Sequence, residues 1–191
     1  RAASSKLGFG VQKTMQVAQK LYEGIEIDGT PVGLITYMRT DSVRVSDDAQ
    51  AMAKDFILGN YGEKYYPEKP NIYVKGKQNV QDAHEAIRPS YPERTPESIK
   101  KYLDNDQFKL YKLIWDKFMS SQMTPADIAN KTVEITAGDY TLKAGTSKVT
   151  FDGFLKVYND ADEEEQKAEA KIPDLNEGDK VKCLKVEPKQ H

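Results

Sequence analysis

The stretch Gly-Leu-Ile-Thr-Tyr-Met-Arg-Thr-Asp-Ser at residues 33–42 constrains the chain more than any other. It opens as an apolar, β-prone run and turns abruptly polar, as a chain does on leaving a core for a surface. Along an extended backbone successive side chains point to opposite sides, so Tyr37, Arg39 and Asp41 share one side. On a helix, Tyr37 and Arg39 would point roughly 200° apart and could not act on one group. The extended path therefore sets a phenol beside a guanidinium, both able to reach a single phosphate.

A tyrosine hydroxyl is a poor nucleophile at neutral pH, because a free phenol has a pKa of about 10. A neighbouring guanidinium favours the phenolate form and its fork holds phosphate oxygens. Preorganised charge of this kind commonly supplies the largest share of catalysis in phosphoryl transfer. A tyrosyl phosphodiester is close in energy to the DNA phosphodiester it replaces, so such cleavage is reversible without ATP. From Tyr-x-Arg alone, a strand aromatic beside a solvated arginine is the simpler reading, because the motif is short.

A second informative stretch runs through residues 81–90, Gln-Asp-Ala-His-Glu-Ala-Ile-Arg-Pro-Ser. His84-Glu85 begins like H-E-x-x-H, but Arg88 stands at the second histidine position, so a zinc site is not supported. A histidine that titrates near neutral pH can shuttle protons or donate to a phosphate. The alternative is a structural hydrogen bond. Arg88 precedes Pro89, which biases it to an extended backbone.

Residues 34–42, Leu-Ile-Thr-Tyr-Met-Arg-Thr-Asp-Ser, resemble the active-site signature of bacterial type IA DNA topoisomerases. Residues 83–90, Ala-His-Glu-Ala-Ile-Arg-Pro-Ser, resemble a second signature of the same family. Residues 2–10, 113–115, 121–124 and 151–153 match in the expected order, so the resemblance covers nearly the whole chain. It implies that Tyr37 attacks one DNA strand, becomes linked to the 5′ phosphate and frees a 3′ hydroxyl. Arg39 contacts the scissile phosphate, with Thr36, His84 and Arg88 as further DNA-binding residues. Another DNA segment passes through the gap before resealing, and negative supercoils relax.

The resemblance also implies an acidic D-x-D-x-E centre that holds Mg²⁺ in a separate N-terminal domain. Asp104-Asn105-Asp106 is the nearest match here, but Gln107-Phe108 follows and the glutamate is missing. No metal ligand is assigned, and Mg²⁺ is expected only in the full-length enzyme. The chain begins at Arg1 without Met, and reads as a fragment that lacks the acidic domain and does not relax DNA alone. The expected partners are a single-stranded segment of negatively supercoiled DNA and the remaining domains of the same polypeptide, with a monomeric state in the bacterial cytoplasm. The alternative is a nucleic-acid-binding or structural module with no chemistry at Tyr37. It gains if Tyr37 is packed inside a complete core.

The 191 residues suffice for one large domain or two small ones. Composition is ordinary, with 38% apolar and 30% charged residues and a net charge of −2, which gives no basic footprint for DNA. No run approaches the ~20 apolar residues of a membrane span. The single cysteine, Cys183, excludes an internal disulfide and reads as a small core residue on a strand.

The expected class is α+β: a mainly helical domain over residues 1–123 with the tyrosine on an extended segment, then a β-rich partial domain over 124–191. Helices are expected over residues 1–7 and 11–22, with Gly8 to Gly10 between them. That arrangement reads as a helix-turn-helix or as two packed helices, with Lys6 and Lys13 as rim phosphate contacts. Residues 26–31 read as a polar loop. Ser46 caps a helix with Ala49, Met52, Ala53, Phe56 and Ile57 on its face, and Thr95-Pro96 starts another. Asp106 caps the next, whose apolar face includes Tyr111, Trp115 and Phe118. Tyr65, Tyr66 and Tyr73 read as base-stacking or as loop anchors. Short strands are expected over 132–136, 140–144, 148–151, 154–158 and 180–187. An acidic exposed loop is expected over 159–171.

Overall fold

The computed structural model describes residues 1–73, 84–158 and 172–187. The chain forms two compact units, Arg1–Asp127 with Phe151–Asp160, and Ile128–Thr150 with Ala161–His191. The expected acidic run over 159–171 lies outside the described residues.

The first unit is built on helices. α1 (Ala2–Leu7) ends at Gly8, whose φ of 66° is the left-handed conformation that closes a helix. α2 (Val11–Glu23) follows and ends at Gly24, also at positive φ. α3 (Asp47–Asn60) starts at Ser46, whose hydroxyl accepts from the Ala49 N–H, with Asp47 and Asp48 in the first turn. α4 (Pro96–Ile99) carries the expected threonine cap and N1 proline. α5 (Asn105–Ser121) is capped by Asp104, not by Asp106 as the sequence suggested. The Asp104 carboxylate takes the Gln107 N–H at 2.8 Å, and the Gln107 side chain takes the Asp104 N–H at 2.9 Å. This reciprocal pairing requires Gln three residues after the cap, which Asp106 does not have.

α5 is the spine, and α1, α2 and α4 pack on it. Leu110, Tyr111, Trp115, Phe118 and Met119 are buried along it, as the apolar periodicity predicts. Burial at two polar atoms is matched by hydrogen bonds: Tyr111 Oη donates to the Arg94 carbonyl and Trp115 Nε1 to the Pro92 carbonyl. Burial pushes the Tyr111 phenol well above the ordinary range. From α3, Ala49, Ala53 and Ile57 enter the same core.

Residues 26–31 are not a loop. β1 (Ile25–Ile27) and β2 (Thr30–Val32) pair antiparallel, with Ile25 opposite Val32. Asp28 and Gly29 both have positive φ, the conformation of a tight two-residue hairpin turn. Tyr102 Oη donates to the Asp28 carboxylate, which pins the hairpin tip beside α4.

Tyr65 and Tyr73 act as anchors: Tyr65 Oη donates to Asp152 at 2.7 Å and Tyr73 Oη to the Ser121 carbonyl at 2.8 Å. Tyr66 lies under the Lys54 ammonium. Residues 154–158 do not form a strand; Gly153–Lys156 is a 3-10 turn. The reason is Gly153, at φ 46°, where a Cβ would stand 2.4 Å from the Pro125 carbonyl oxygen. The chain must reverse tightly there, and the Phe154 N–H then returns to the Thr124 carbonyl.

In the second unit, β3 (Asp127–Ala137) and β4 (Tyr140–Phe151) make a two-stranded sheet joined at Gly138-Asp139. The separate strands expected over 140–144 and 148–151 are one strand, because residues 145–147 stay paired; Ser147 Oγ donates to the Asn130 side chain at 2.7 Å. Lys143 and Glu134 pair across the sheet at 2.6 Å. Residues 180–187 form no strand, and Cys183 is exposed instead of packed in a core. With no partner strand among the described residues, the alternation there has no face to bury.

Candidate active site

Residues 33–36 are held from both sides, and the chain then bends at Thr36, Met38 and Arg39, so the fully extended path expected for residues 33–42 is interrupted. The Leu34 N–H donates to the Leu21 carbonyl at the end of α2, at 2.8 Å. On the other side, Ile35 bridges Pro89, the Thr36 N–H donates to the Arg88 carbonyl, and the Ser90 N–H donates to the Leu34 carbonyl. The Ala86 N–H donates to the Arg44 carbonyl, so the loop carrying His84 is stitched to the segment at two places. The two motifs, some fifty residues apart, thus form one structure.

Alternation does what the sequence demands. Leu34 and Ile35 anchor the segment in the core, at 1% and 2% exposure. Beyond them, Tyr37 is exposed, Met38 is buried, Arg39 is exposed, Asp41 is exposed and Ser42 is buried. Thr40 and Ser42 hydroxyls accept the N–H groups of Ser42 and Arg44, which shapes the exit toward α3.

Tyr37 is 39% exposed. One flank meets the Tyr22 ring edge to face at 5.4 Å between centroids. His84 lies 6.1 Å away at a 30° tilt. Its hydroxyl has no hydrogen-bond partner among the described residues, and neither has the Arg39 guanidinium. Both side chains line one groove of about 1060 Å³, with Lys13, Gln16 and Lys20 of α2 and Asp106 of α5. Among the described residues, the site therefore offers an unengaged phenol and an unengaged guanidinium to one groove.

Thr36 and Arg88 are placed differently. The Thr36 hydroxyl donates to the Ala86 carbonyl at 2.8 Å and accepts the Arg88 N–H at 3.0 Å. The Arg88 guanidinium pairs with Glu85, through Nε at 2.8 Å, and donates to its neighbour's Pro89 carbonyl. Both brace the loop behind Tyr37, and neither lines the groove. Burial alone would raise the Glu85 carboxyl, but hydrogen bonds from Ser46 and Arg88 and the nearby Arg44 charge hold it below its ordinary range. Ser46 thus caps α3 with its oxygen and ties α3 to the His84 loop with its proton.

Tyr22, Gln16 and Lys20 were not singled out by sequence. Tyr22 reads there as one more apolar helix position, and only its approach to Tyr37 distinguishes it. Of the two lysines expected at the rim, Lys13 lines the groove, while Lys6 lies over the Tyr158 ring.

Asp104 and Asp106 do not fit a metal centre. The first is spent on the α5 cap and the second pairs with Lys13 at 2.8 Å. Among the described residues no group of three His, Cys, Asp or Glu side chains is arranged to hold an ion. No helix among them is long and apolar enough to cross a membrane.

A family model for DNA topoisomerase matches residues 1–191. Among solved structures, full-length topoisomerase I from Thermotoga maritima, in a monoclinic crystal form, is similar to this chain with a TM-score of 0.71 and 44% sequence identity. The similarity covers 82% of this chain and 25% of that one. A match over every residue of the sequence, with a shared fold at this identity, means that the chain belongs to the DNA topoisomerase family.

Proposed function

We propose that this chain carries the strand-cleaving tyrosine of a type IA topoisomerase, with Tyr37 as nucleophile and Arg39 as phosphate clamp. The observation that carries the reading is the pairing of two outward side chains, Tyr37 and Arg39, across a buried Met38 and in one groove. In the reaction, Tyr37 Oη gives up its proton and forms a bond to the scissile phosphorus. The bond from phosphorus to the 3′ oxygen breaks, and that oxygen leaves as a hydroxyl after taking up a proton. Arg39 offers its donors to the phosphate oxygens as negative charge builds there. One phosphodiester replaces another, so the 3′ hydroxyl can reverse the step without ATP. Passage of a second DNA segment between the two steps changes the linking of the duplex and relaxes negative supercoils.

Thr36 and Arg88 serve as braces that fix the backbone on either side of Tyr37, and His84 is the side chain of the second motif that reaches it. Mg²⁺ belongs, in this proposal, to an acidic centre in other domains of a longer protein, and no step here runs through it. The isolated 191-residue chain then binds single-stranded DNA without relaxing plasmid. The test uses a full-length topoisomerase carrying these residues and a cleavage substrate labelled at its 3′ end, the part of the strand that stays on the tyrosine. Tyr37→Phe is expected to bind DNA and form no covalent adduct. A persisting adduct removes Tyr37 from the nucleophile's role, and relaxation by the purified 191-residue chain contradicts the half-site assignment.

A further inference from the structure

Of the α2 residues that line the groove of Tyr37 and Arg39, three are exposed and have no role in the cleavage step proposed above. Lys13, Gln16 and Lys20 are spaced at i, i+3 and i+7, which puts them on one stripe of the helix. A rise of about 1.5 Å per residue separates Lys13 from Lys20 by roughly 10 Å along the axis. The two ammonium groups are far enough apart to meet different phosphates of one strand.

The charges on this wall are not equally committed. Lys20 is exposed, and its ammonium has no ion pair or hydrogen bond among the described residues. Lys13 is held by Asp106 at 2.8 Å and rests on the Phe9 ring at 4.3 Å. Both partners of that ion pair are solvent-exposed, and such pairs contribute little, so a phosphate can compete for the ammonium. Asp104 also lines the groove, but its carboxylate is occupied by the α5 N-terminus. Lys20 and Arg39 therefore face the groove with no anion of their own among the described residues.

We propose that this α2 stripe is a second phosphate-binding subsite, in which Lys20, assisted by Gln16 and Lys13, holds backbone phosphates of single-stranded DNA flanking the one clamped by Arg39. The subsite rests on the reading of Tyr37 and Arg39 as a cleavage site. Asp106 acts in it as a competitor that holds Lys13 until a phosphate replaces it. The ammonium groups read charge and not base identity, so the subsite tracks the strand without regard to sequence.

The experiment is a fluorescence-anisotropy titration of a labelled oligothymidylate with the 191-residue chain over a series of salt concentrations. All variants carry Tyr37→Phe so that only non-covalent binding is read. Lys20→Gln is expected to weaken binding about three- to tenfold at low salt, and to lower the slope of log K against log salt by about 0.7. Asp106→Asn is expected to tighten binding about two- to fivefold. Lys64→Gln, an exposed lysine outside the groove, leaves both quantities unchanged. An unchanged slope for Lys20→Gln overturns the subsite, as does weaker binding by Asp106→Asn or no measurable binding by the parent chain at low salt. Failure here, with a Tyr37 adduct still formed in the full-length enzyme, overturns the subsite alone. A reduced slope with no adduct keeps the subsite and removes the chemistry from Tyr37.

Discussion

The ring of Tyr22 meets the ring of Tyr37 edge to face at 5.4 Å, and the backbone beneath them is in direct contact. Leu34, three residues before Tyr37, bonds to the carbonyl of Leu21, the neighbour of Tyr22. The end of α2 therefore sets both the height and the tilt of the tyrosine. An aromatic pair of this geometry contributes about 0.5–1.5 kcal/mol beyond its buried area.

Tyr22→Ala in a full-length enzyme is expected to slow single-turnover cleavage by up to about tenfold, with DNA affinity unchanged. Tyr22→Phe keeps the ring and should restore the rate. Equal loss in both variants would mean that the hydroxyl, and not the ring, is what matters.

Gly33 is where the segment passes closest to α2, and a Cβ there would stand 2.8 Å from the Tyr22 carbonyl oxygen. Backbone cannot move aside as a side chain tip does. Gly33→Ala is expected to cost roughly 1–3 kcal/mol, as overpacking does. Urea unfolding followed by the fluorescence of Trp115, the single tryptophan and a core residue, measures it.

Glu85 gives a pH signature. Its folded carboxyl lies below the ordinary value of 4.5, since Ser46, Arg88 and Arg44 outweigh the effect of burial. Its contribution to stability is therefore complete above that value and is lost as pH falls through the lowered one. Glu85→Gln is expected to destabilise the fold by about 1–3 kcal/mol at pH 7, because Arg88 loses a charged partner in a half-buried place. The difference from the parent chain should shrink as pH falls below 4.5. A gap in urea midpoints that stays constant from pH 7 into acid would show that the carboxylate charge is not the cause.

Gly153 sits in the left-handed region with the Pro125 carbonyl 2.4 Å from any added Cβ. Gly153→Ala is expected to lose at least the roughly 1–3 kcal/mol of a strained left-handed residue. It should also break the return of the chain against Thr124, seen as faster amide exchange at Phe154.

Local rules settled whatever depends on one stretch of chain. The 3.6-residue spacing of apolar side chains gave α2, α3 and α5, and Ser46 and Thr95 marked the starts of α3 and α4. Alternation in residues 36–42 put Tyr37 and Arg39 on one side, and both are exposed beside a buried Met38 although the chain bends at Met38 and Arg39. Where local signals conflicted, the reading failed. Residues 26–31 read as a polar loop, yet the Asp28-Gly29 turn closed a hairpin there. Residues 140–144 and 148–151 read as separate strands, yet pairing across the sheet made them one strand, β4.

Contacts between distant stretches were decided elsewhere. Nothing near Thr36 in the chain says that its hydroxyl will serve Ala86 and Arg88, and nothing near Arg88 says that Glu85 and Pro89 will occupy it. Tyr22 became a neighbour of Tyr37, and Lys20 a wall of the same groove, only when the end of α2 met residues 33–42. The sequence by itself determined which side chains can do chemistry, since residue type and backbone period are local properties. The tertiary structure alone decided which of them remain unengaged, since a donor is committed or left available only by what the rest of the fold brings within hydrogen-bonding distance.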